Sequence, residues 1–132
     1  MAQEINDVKN IASAALAFLG DSVYEERIRE RIVRSSGKSV AALNRVSKSM
    51  TNAKAQALLI DSLSEELTAE ELAVFKRGRN VKSISAPKSC SISEYRRATG
   101  LEALVGYLFL TEQEERLEFI VDKAFEMLLR DC

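Results

Sequence analysis

Residues 11–33 read IASAALAFLGDSVYEERIRERIV, and the spacing of their apolar side chains decides the class of fold. The apolar positions recur in steps of three and four residues, which is the period of one face of an α-helix. They are Leu16, Leu19, Val23, Tyr24, Ile28 and Ile32. Gly20 lies inside this run and is a candidate for a bend between two helices, and the run is expected to stop at Ser35-Ser36-Gly37.

The helical period continues along almost the whole chain, with one long loop-like stretch from Asn80 to Cys90. Three pairs have the spacing of a capping box at a helix start: Thr68 with Glu71, Ser91 with Glu94, and Thr111 with Glu114. A single Pro and five Gly in 132 residues also disfavour a turn-rich β architecture. We therefore predict one all-α domain, residues 1–132, of about six or seven helices.

Several bulk features restrict the class of function. The two cysteines, Cys90 and Cys132, match no metal-binding or redox spacing, and the N-terminal residues MAQEINDVKN are unlike a signal peptide. No apolar run approaches the ~20 residues that a membrane helix needs, so a cytoplasmic protein is expected. The chain contains no His. Any catalysis must therefore rely on carboxylates, Lys, Tyr or hydroxyl groups.

The net charge of -1 conceals two basic stretches. Residues 27–54 carry eight Lys and Arg against one Glu, and residues 76–97 carry seven against one. Because binding of nucleic acid responds to the local field, a low overall pI does not exclude it. The alternative is that these charges only solvate the surfaces of helices.

Two carboxylates, Asp21 and Glu102, are each the only charge in a strongly apolar segment. A buried carboxylate must be neutralised by a proton, a cation or hydrogen bonds, and Mg²⁺ prefers carboxylate and water oxygens. The alternative is structural, with Asp21 capping a second helix after Gly20 and Glu102 pairing with a buried Arg. Glu25, one turn after Asp21, is either an outer ligand or a surface acid paired with Arg29.

The basic region 76–97 runs directly into the helix that carries Glu102. Arg forks, Asn and loop amides suit phosphate oxygens. The candidates for contact with a nucleic-acid backbone are Arg77, Arg79, Asn80, Lys82, Lys88 and Arg96. Phosphodiester hydrolysis needs such a grip beside a divalent cation that activates water and stabilises the leaving oxygen. Lys54 and Gln56 could also face RNA, although a solvated helix face fits them better.

The helix that carries Glu102 is apolar nearly all round from Leu101 to Leu110, and it contains Gly100, Ala103 and Gly106. Small residues at this spacing allow another helix to approach closely. The pattern is typical either of a subunit interface or of a central helix within the domain.

Taken together, these residues resemble the ribonuclease III family, and in particular its compact Mini-ribonuclease III branch. Residues 19–23, LGDSV, are similar to the first signature of the catalytic domain, and residues 101–110, LEALVGYLFL, to the second. Residues 20–25, 52–57, 77–83 and 95–104 (GDSVYE, NAKAQA, RGRNVKS and YRRATGLEAL) resemble the Mini branch in order. The resemblance covers nearly the whole chain.

The resemblance implies an all-α endoribonuclease that forms a two-fold homodimer and cuts double-stranded RNA. Asp21 and Glu102 would bind Mg²⁺, with Mn²⁺ able to take its place, and the products would carry 5′-phosphate and 3′-hydroxyl ends. The Mini branch trims the precursor of large-subunit (23S) ribosomal RNA. It lacks a separate double-stranded-RNA-binding domain, and none is expected here.

Three positions depart from full-length ribonuclease III domains, in which they are acidic: Ala14, Ala17 and Thr99. The Mini branch shares this reduced set of acids, so one Mg²⁺ per site fits better than two. If the missing acids meant decay, the chain would be an inactive RNA-binding or ribosome-associated protein on the same fold. A helical interaction module without RNA is a third hypothesis, but it leaves the two carboxylates and the basic loop unexplained.

Overall fold

The computed structural model describes residues 7–35, 39–81 and 86–128, and within these ranges every regular element is a helix. A short 3₁₀ helix, Val8–Asn10, precedes six α-helices. They are α1 Ser13–Ser35, α2 Val40–Thr51, α3 Ala53–Leu63, α4 Ala69–Arg79, α5 Ile92–Leu110 and α6 Glu114–Leu128. The predicted all-α class and the number of helices are confirmed.

Local capping sets where several helices begin. The Thr68–Glu71 and Ser91–Glu94 pairs form the predicted capping boxes at the starts of α4 and α5. The prediction of a third box at Thr111 is wrong. The Thr111 hydroxyl instead donates to the carbonyl of Tyr107 at 2.7 Å, closing the end of α5, and α6 begins only at Glu114.

Helix α1 runs unbroken through Gly20, so the predicted bend there is wrong. Gly20 is required by a contact with α5, since a Cβ at this position would lie 1.7 Å from the carbonyl oxygen of Glu102. The reverse contact is equally tight: a Cβ at Gly106 would lie 2.1 Å from the carbonyl oxygen of Leu16. The two helices therefore meet backbone to backbone.

Helix α5 is the centre of the domain. It packs against α1, α3, α4 and α6 and buries Leu101 and every residue from Ala103 to Leu108. Gly100 gives α4 the same close approach, because a Cβ there would lie 2.6 Å from the ring of Phe75. Its small residues thus serve packing within the domain, as a central helix requires.

Ion pairs fasten α6 to the rest of the fold. Arg27 on α1 binds Glu114 at 2.7 Å, and Arg31 pairs with Glu118 and Asp122. On the other side, Arg116 binds both carboxylate oxygens of Glu71 on α4, at 2.7 and 2.8 Å. Among the described residues, no helix has the length and apolarity needed to cross a membrane.

Candidate active site

The backbone contact between α1 and α5 brings Asp21 and Glu102 together. Asp21 directly follows Gly20, and Glu102 provides the carbonyl against which Gly20 packs. The two carboxyl groups lie within hydrogen-bonding reach of each other. Asp21 is exposed, which its apolar sequence neighbours did not predict, whereas Glu102 is half-buried. The pair therefore forms a site that is open to solvent on the side of Asp21.

The environment of Glu102 favours a neutral carboxyl. Burial raises its pKa to about 9, with the hydrogen bond and the negative charge of Asp21 adding to the effect, while the amide of Gln56 opposes it. No Lys or Arg among the described residues forms an ion pair with Glu102. The structural alternative of a buried Arg partner is therefore wrong. Asp21 lies in the interior of α1 and caps no helix.

The donor set at this pair fits one hard divalent cation. Two adjacent carboxylates repel each other unless they share a proton or a cation, and Mg²⁺ accepts one or two carboxylates together with retained waters. Within the described part of the chain no group of three or more acidic, His or Cys side chains could hold a metal ion. Thr99, one of the departing positions, uses its hydroxyl to donate to the carbonyl of Tyr95 at 2.9 Å.

Gln56 belongs to this site, although sequence reasoning favoured a solvated helix face for it. Its residue is only 3% exposed, and its side-chain amide is close enough to lower the pKa of Glu102. The signal was present in the spacing, because Gln56 lies in helical register with Leu59, Ile60 and Leu63, all buried on α3. Glu25, by contrast, pairs with Arg29 at 2.7 Å, as the alternative for it predicted.

The end of α4 lies beside the segment of α5 that carries Glu102. A Cβ at Gly78 would lie 2.6 Å from the Cβ of Ala103 and 3.0 Å from the Cα of Gly100. Arg77 and Arg79 flank this contact on α4, and Asn80 caps the helix. The basic end of α4 therefore packs against α5 at Gly100 and Ala103, on either side of Leu101 and Glu102. That Arg77 and Arg79 bind RNA at the carboxylate pair stays a prediction.

The predicted RNA-contacting residues differ in how much of their charge is available. Arg77, Arg79 and Lys88 form no ion pair with an acid in the described residues. The Nε of Arg79 donates to Asn80 at 3.2 Å. Arg96 donates to the carbonyls of Arg79 and Val81, so it supports the backbone at the end of α4. Lys82 lies outside the described residues.

In the first basic stretch, 27–54, the arginines that lie on α1 are paired with acids. Each of the four arginines there has an acidic partner within 4 Å: Arg27, Arg29, Arg31 and Arg34. For these residues the alternative holds, since their charges connect or solvate helices. Arg45, Lys48 and Lys54, later in the same stretch, form no ion pair in the described residues, so both stretches retain unpaired positive charge.

The fold and the paired carboxylates define a class of protein, and comparison with known proteins agrees. Residues 14–113 match the model of the Ribonuclease III domain. The chain therefore belongs to the ribonuclease III family, whose members are endoribonucleases that act on RNA. A crystal structure of a Fusobacterium nucleatum protein has the same fold, with a TM-score of 0.83 and 33% identity, covering 91% of this chain and 96% of that one.

Within the family, the curated relatives specify the branch. The Mini-ribonuclease 3 of Enterococcus faecalis is 42% identical over 120 residues, which are 89% of this chain and 91% of that protein. The Mini-ribonuclease 3 of Staphylococcus aureus is 36% identical over 128 residues, 96% of each chain. That of Streptococcus pneumoniae is 42% identical over 117 residues, 87% of this chain and 91% of its own. The resemblance to the compact Mini branch is confirmed.

Proposed function

We propose that this chain is a metal-dependent endoribonuclease that cleaves double-stranded RNA and matures the 23S ribosomal RNA precursor. The observation that carries the proposal is the pairing of the Asp21 and Glu102 carboxyls on two helices that meet backbone to backbone. Two adjacent carboxylates repel each other, so without a cation one of them must be neutralised by a proton. The Mini-ribonuclease 3 names of its relatives support the endoribonuclease activity.

Asp21 and Glu102 would hold one Mg²⁺ or Mn²⁺, which supplies Lewis-acid activation of water and of the scissile phosphate when bound. Arg77, Arg79 and Lys88 would bind the phosphate backbone, with Asn80 as a hydrogen-bonding partner. Lys82, a predicted member of this set, has no described position. Arg96 would contribute by holding the carbonyls at the end of α4. Products with 5′-phosphate and 3′-hydroxyl ends are part of the proposal.

The proposal includes a homodimer in which residues 1–132 form one catalytic domain. Phe18 is 85% exposed on α1, one turn before Asp21, and Val33 on the same helix is 61% exposed. An exposed apolar face beside a site suits contact with a second copy. Light scattering after size exclusion should give a dimer mass for the parent and a monomer mass for folded Phe18→Asp. A monomeric parent would refute this part.

The activity is tested by cleavage of an end-labelled long RNA duplex by the parent and by Glu102→Gln. The parent should cut in Mg²⁺ and not in EDTA. The variant should lose several kcal/mol of transition-state stabilisation, on the order of 10³-fold in rate. Glu30→Gln is the matched control, because Glu30 is an exposed acid paired with Arg34. Digestion of the products by a 5′-phosphate-dependent exonuclease checks the ends.

A second substrate separates the general activity from the ribosomal role. A transcript containing the base-paired ends of a 23S precursor should be cut at fewer positions and faster than an unrelated duplex of the same length. If both substrates were cut equally, the endoribonuclease activity would stand and the role in 23S maturation would be refuted. Binding without cutting in Mg²⁺ and in Mn²⁺ would instead identify an inactive RNA-binding protein.

A further inference from the structure

Gln56 is the buried polar side chain that the fold itself does not explain. It lies in the first turn of α3, where the side chain of Asn52 accepts a hydrogen bond from the amide of Ala55 and starts the helix. The residue is 97% removed from solvent. Its neighbours in helical register, Leu59, Ile60 and Leu63, are all buried and apolar. An apolar side chain would suit this position better if packing were its only role.

The amide nitrogen of Gln56 has no hydrogen-bond partner. Within the described residues, Nε2 of Gln56 is the only buried side-chain nitrogen or oxygen without one. The same side chain lies close enough to the Glu102 carboxyl to favour its ionised form, although the geometry is not that of a hydrogen bond. An unused donor therefore lies beside the carboxyl that, on the proposed function, binds the cation.

A carboxylate that binds a divalent cation is commonly oriented by a hydrogen bond to one of its oxygens. An ionised Glu102 accepts hydrogen bonds only, and an N–H on the oxygen turned away from the cation would fix the orientation of the carboxylate. Such outer partners of metal ligands commonly change metal affinity or activity 10- to 100-fold when they are removed.

We propose that Gln56 is a positioning residue that donates its Nε2–H to the ionised Glu102 carboxylate and so orients it toward the divalent cation. This inference rests on the proposed function, because it assigns the cation to Asp21 and Glu102. Gln56 touches neither the cation nor the RNA in this arrangement. Its contribution should therefore be found in metal affinity and turnover, and not in RNA affinity.

The test compares the parent protein with Gln56→Met, which keeps the length and volume of the side chain but has no amide. Ser62→Ala is the matched control, because Ser62 is an exposed residue of α3 whose hydroxyl donates to the carbonyl of Leu59 in its own helix. Free Mn²⁺ is measured by electron paramagnetic resonance during titration with MnCl₂. Melting curves in EDTA show whether each variant is folded.

Gln56→Met is expected to bind Mn²⁺ about 10- to 100-fold more weakly than the parent. Its kcat should fall with little change in KM for duplex RNA. In EDTA its melting temperature should equal or exceed that of the parent, because an unpartnered buried amide has been removed. A merely structural role predicts the reverse: a lower melting temperature with Mn²⁺ affinity unchanged, and that result would overturn the inference.

A measurement on the parent keeps the inference testable even if Gln56→Met does not fold. In a ¹⁵N–¹H spectrum, the side-chain amide of Gln56 should shift downfield and exchange more slowly when MgCl₂ is added. An unchanged resonance at saturating Mg²⁺ would overturn the inference alone, provided that the parent cuts RNA and Glu102→Gln does not. A parent that neither binds Mn²⁺ nor cuts RNA would overturn the proposed function, and the inference with it.

Discussion

At the scale of single residues, the burial of Glu102 disfavours its ionised form. In the absence of a cation its folded-state pKa is about 9, against an ordinary value of 4.5, chiefly because of burial and secondly because of Asp21. Between these two values the folded protein keeps a proton that the unfolded chain releases. The free energy of unfolding must therefore fall as the pH rises through this window.

Glu102→Gln should consequently be more stable than the parent in EDTA. A neutral amide avoids the neutralisation that the carboxyl requires, and the advantage should grow from pH 4.5 toward about 9. Urea unfolding at several pH values measures it. Added Mg²⁺ should reduce the difference in free energy of unfolding between the variant and the parent, because it stabilises only the parent. If this difference in stability did not increase with pH, the proposed burial of Glu102 beside Asp21 would be contradicted.

The sequence made the two carboxylates conspicuous, because each is the only charge in an apolar segment. It could not show that Asp21 is exposed, since exposure depends on which face of α1 the other helices leave uncovered. Gln56 was missed for a related reason. Polar residues at helical spacing are usually solvated, and the burial of this one depends on α3 packing against α5.

At the scale of helices, the α1–α5 contact leaves no room for a side chain. Gly20→Ala should lower the free energy of unfolding by about 1–3 kcal/mol, despite the better helix propensity of Ala, because the added methyl meets the Glu102 carbonyl. Thermal unfolding tests this. Ser22→Ala, an exposed position two residues along α1, is the control and should change little. A Gly20→Ala protein as stable as the parent would show that the helices can separate without cost.

The Glu71–Arg116 pair, which joins α4 to α6, should govern stability in acid. Burial by itself would raise the pKa of Glu71, but the hydrogen bonds from Arg116 and Thr68 outweigh it and lower the pKa below 4.5. The stabilisation is thus present above pH 4.5 and is lost as the pH falls through the folded-state pKa.

Glu71→Gln should therefore cost about 1.5–3 kcal/mol near neutral pH and flatten the acid limb of the stability curve. Denaturant unfolding between neutral and acid pH measures both effects. Glu30→Gln removes an exposed i,i+4 pair and should cost less than about 0.5 kcal/mol. An unchanged acid limb in Glu71→Gln would assign acid unfolding to other carboxyls.

Helix bounds were predictable where local chemistry fixes them. The capping boxes at Thr68 and Ser91 depend only on residues within one turn. At Thr111 the same spacing gave a wrong prediction, because its hydroxyl donates a hydrogen bond to the preceding helix. At Gly20 a local signal for a bend was overridden by contact with a helix some eighty residues away in sequence.

At the scale of the whole molecule, ion pairing decides which basic residues remain available to phosphate. Arg77 and Arg79 form no ion pair among the described residues, whereas Arg34 is paired with Glu30. The sequence could not show this, because the acids that pair with these basic residues come partly from other helices. Each stretch contains both paired and unpaired basic residues: Arg97 of the second stretch, for example, binds Asp61 at 2.7 Å.

Arg77→Gln and Arg79→Gln should each weaken binding of duplex RNA in Ca²⁺ and reduce the slope of log K against log salt by about 1. Arg34→Gln should leave the slope unchanged. Fluorescence anisotropy from low to moderate salt measures these slopes. An unchanged slope in both variants would place the RNA elsewhere on the surface.

The backbone contact of Gly20 with Glu102 also ties the lifetime of the site to that of the core. Amide hydrogens of residues 16–20 and 102–106 should exchange with solvent only when the entire chain opens. The site should not unfold locally. In denaturant, the contact between the two carboxyl groups should be lost only when the most protected amides exchange.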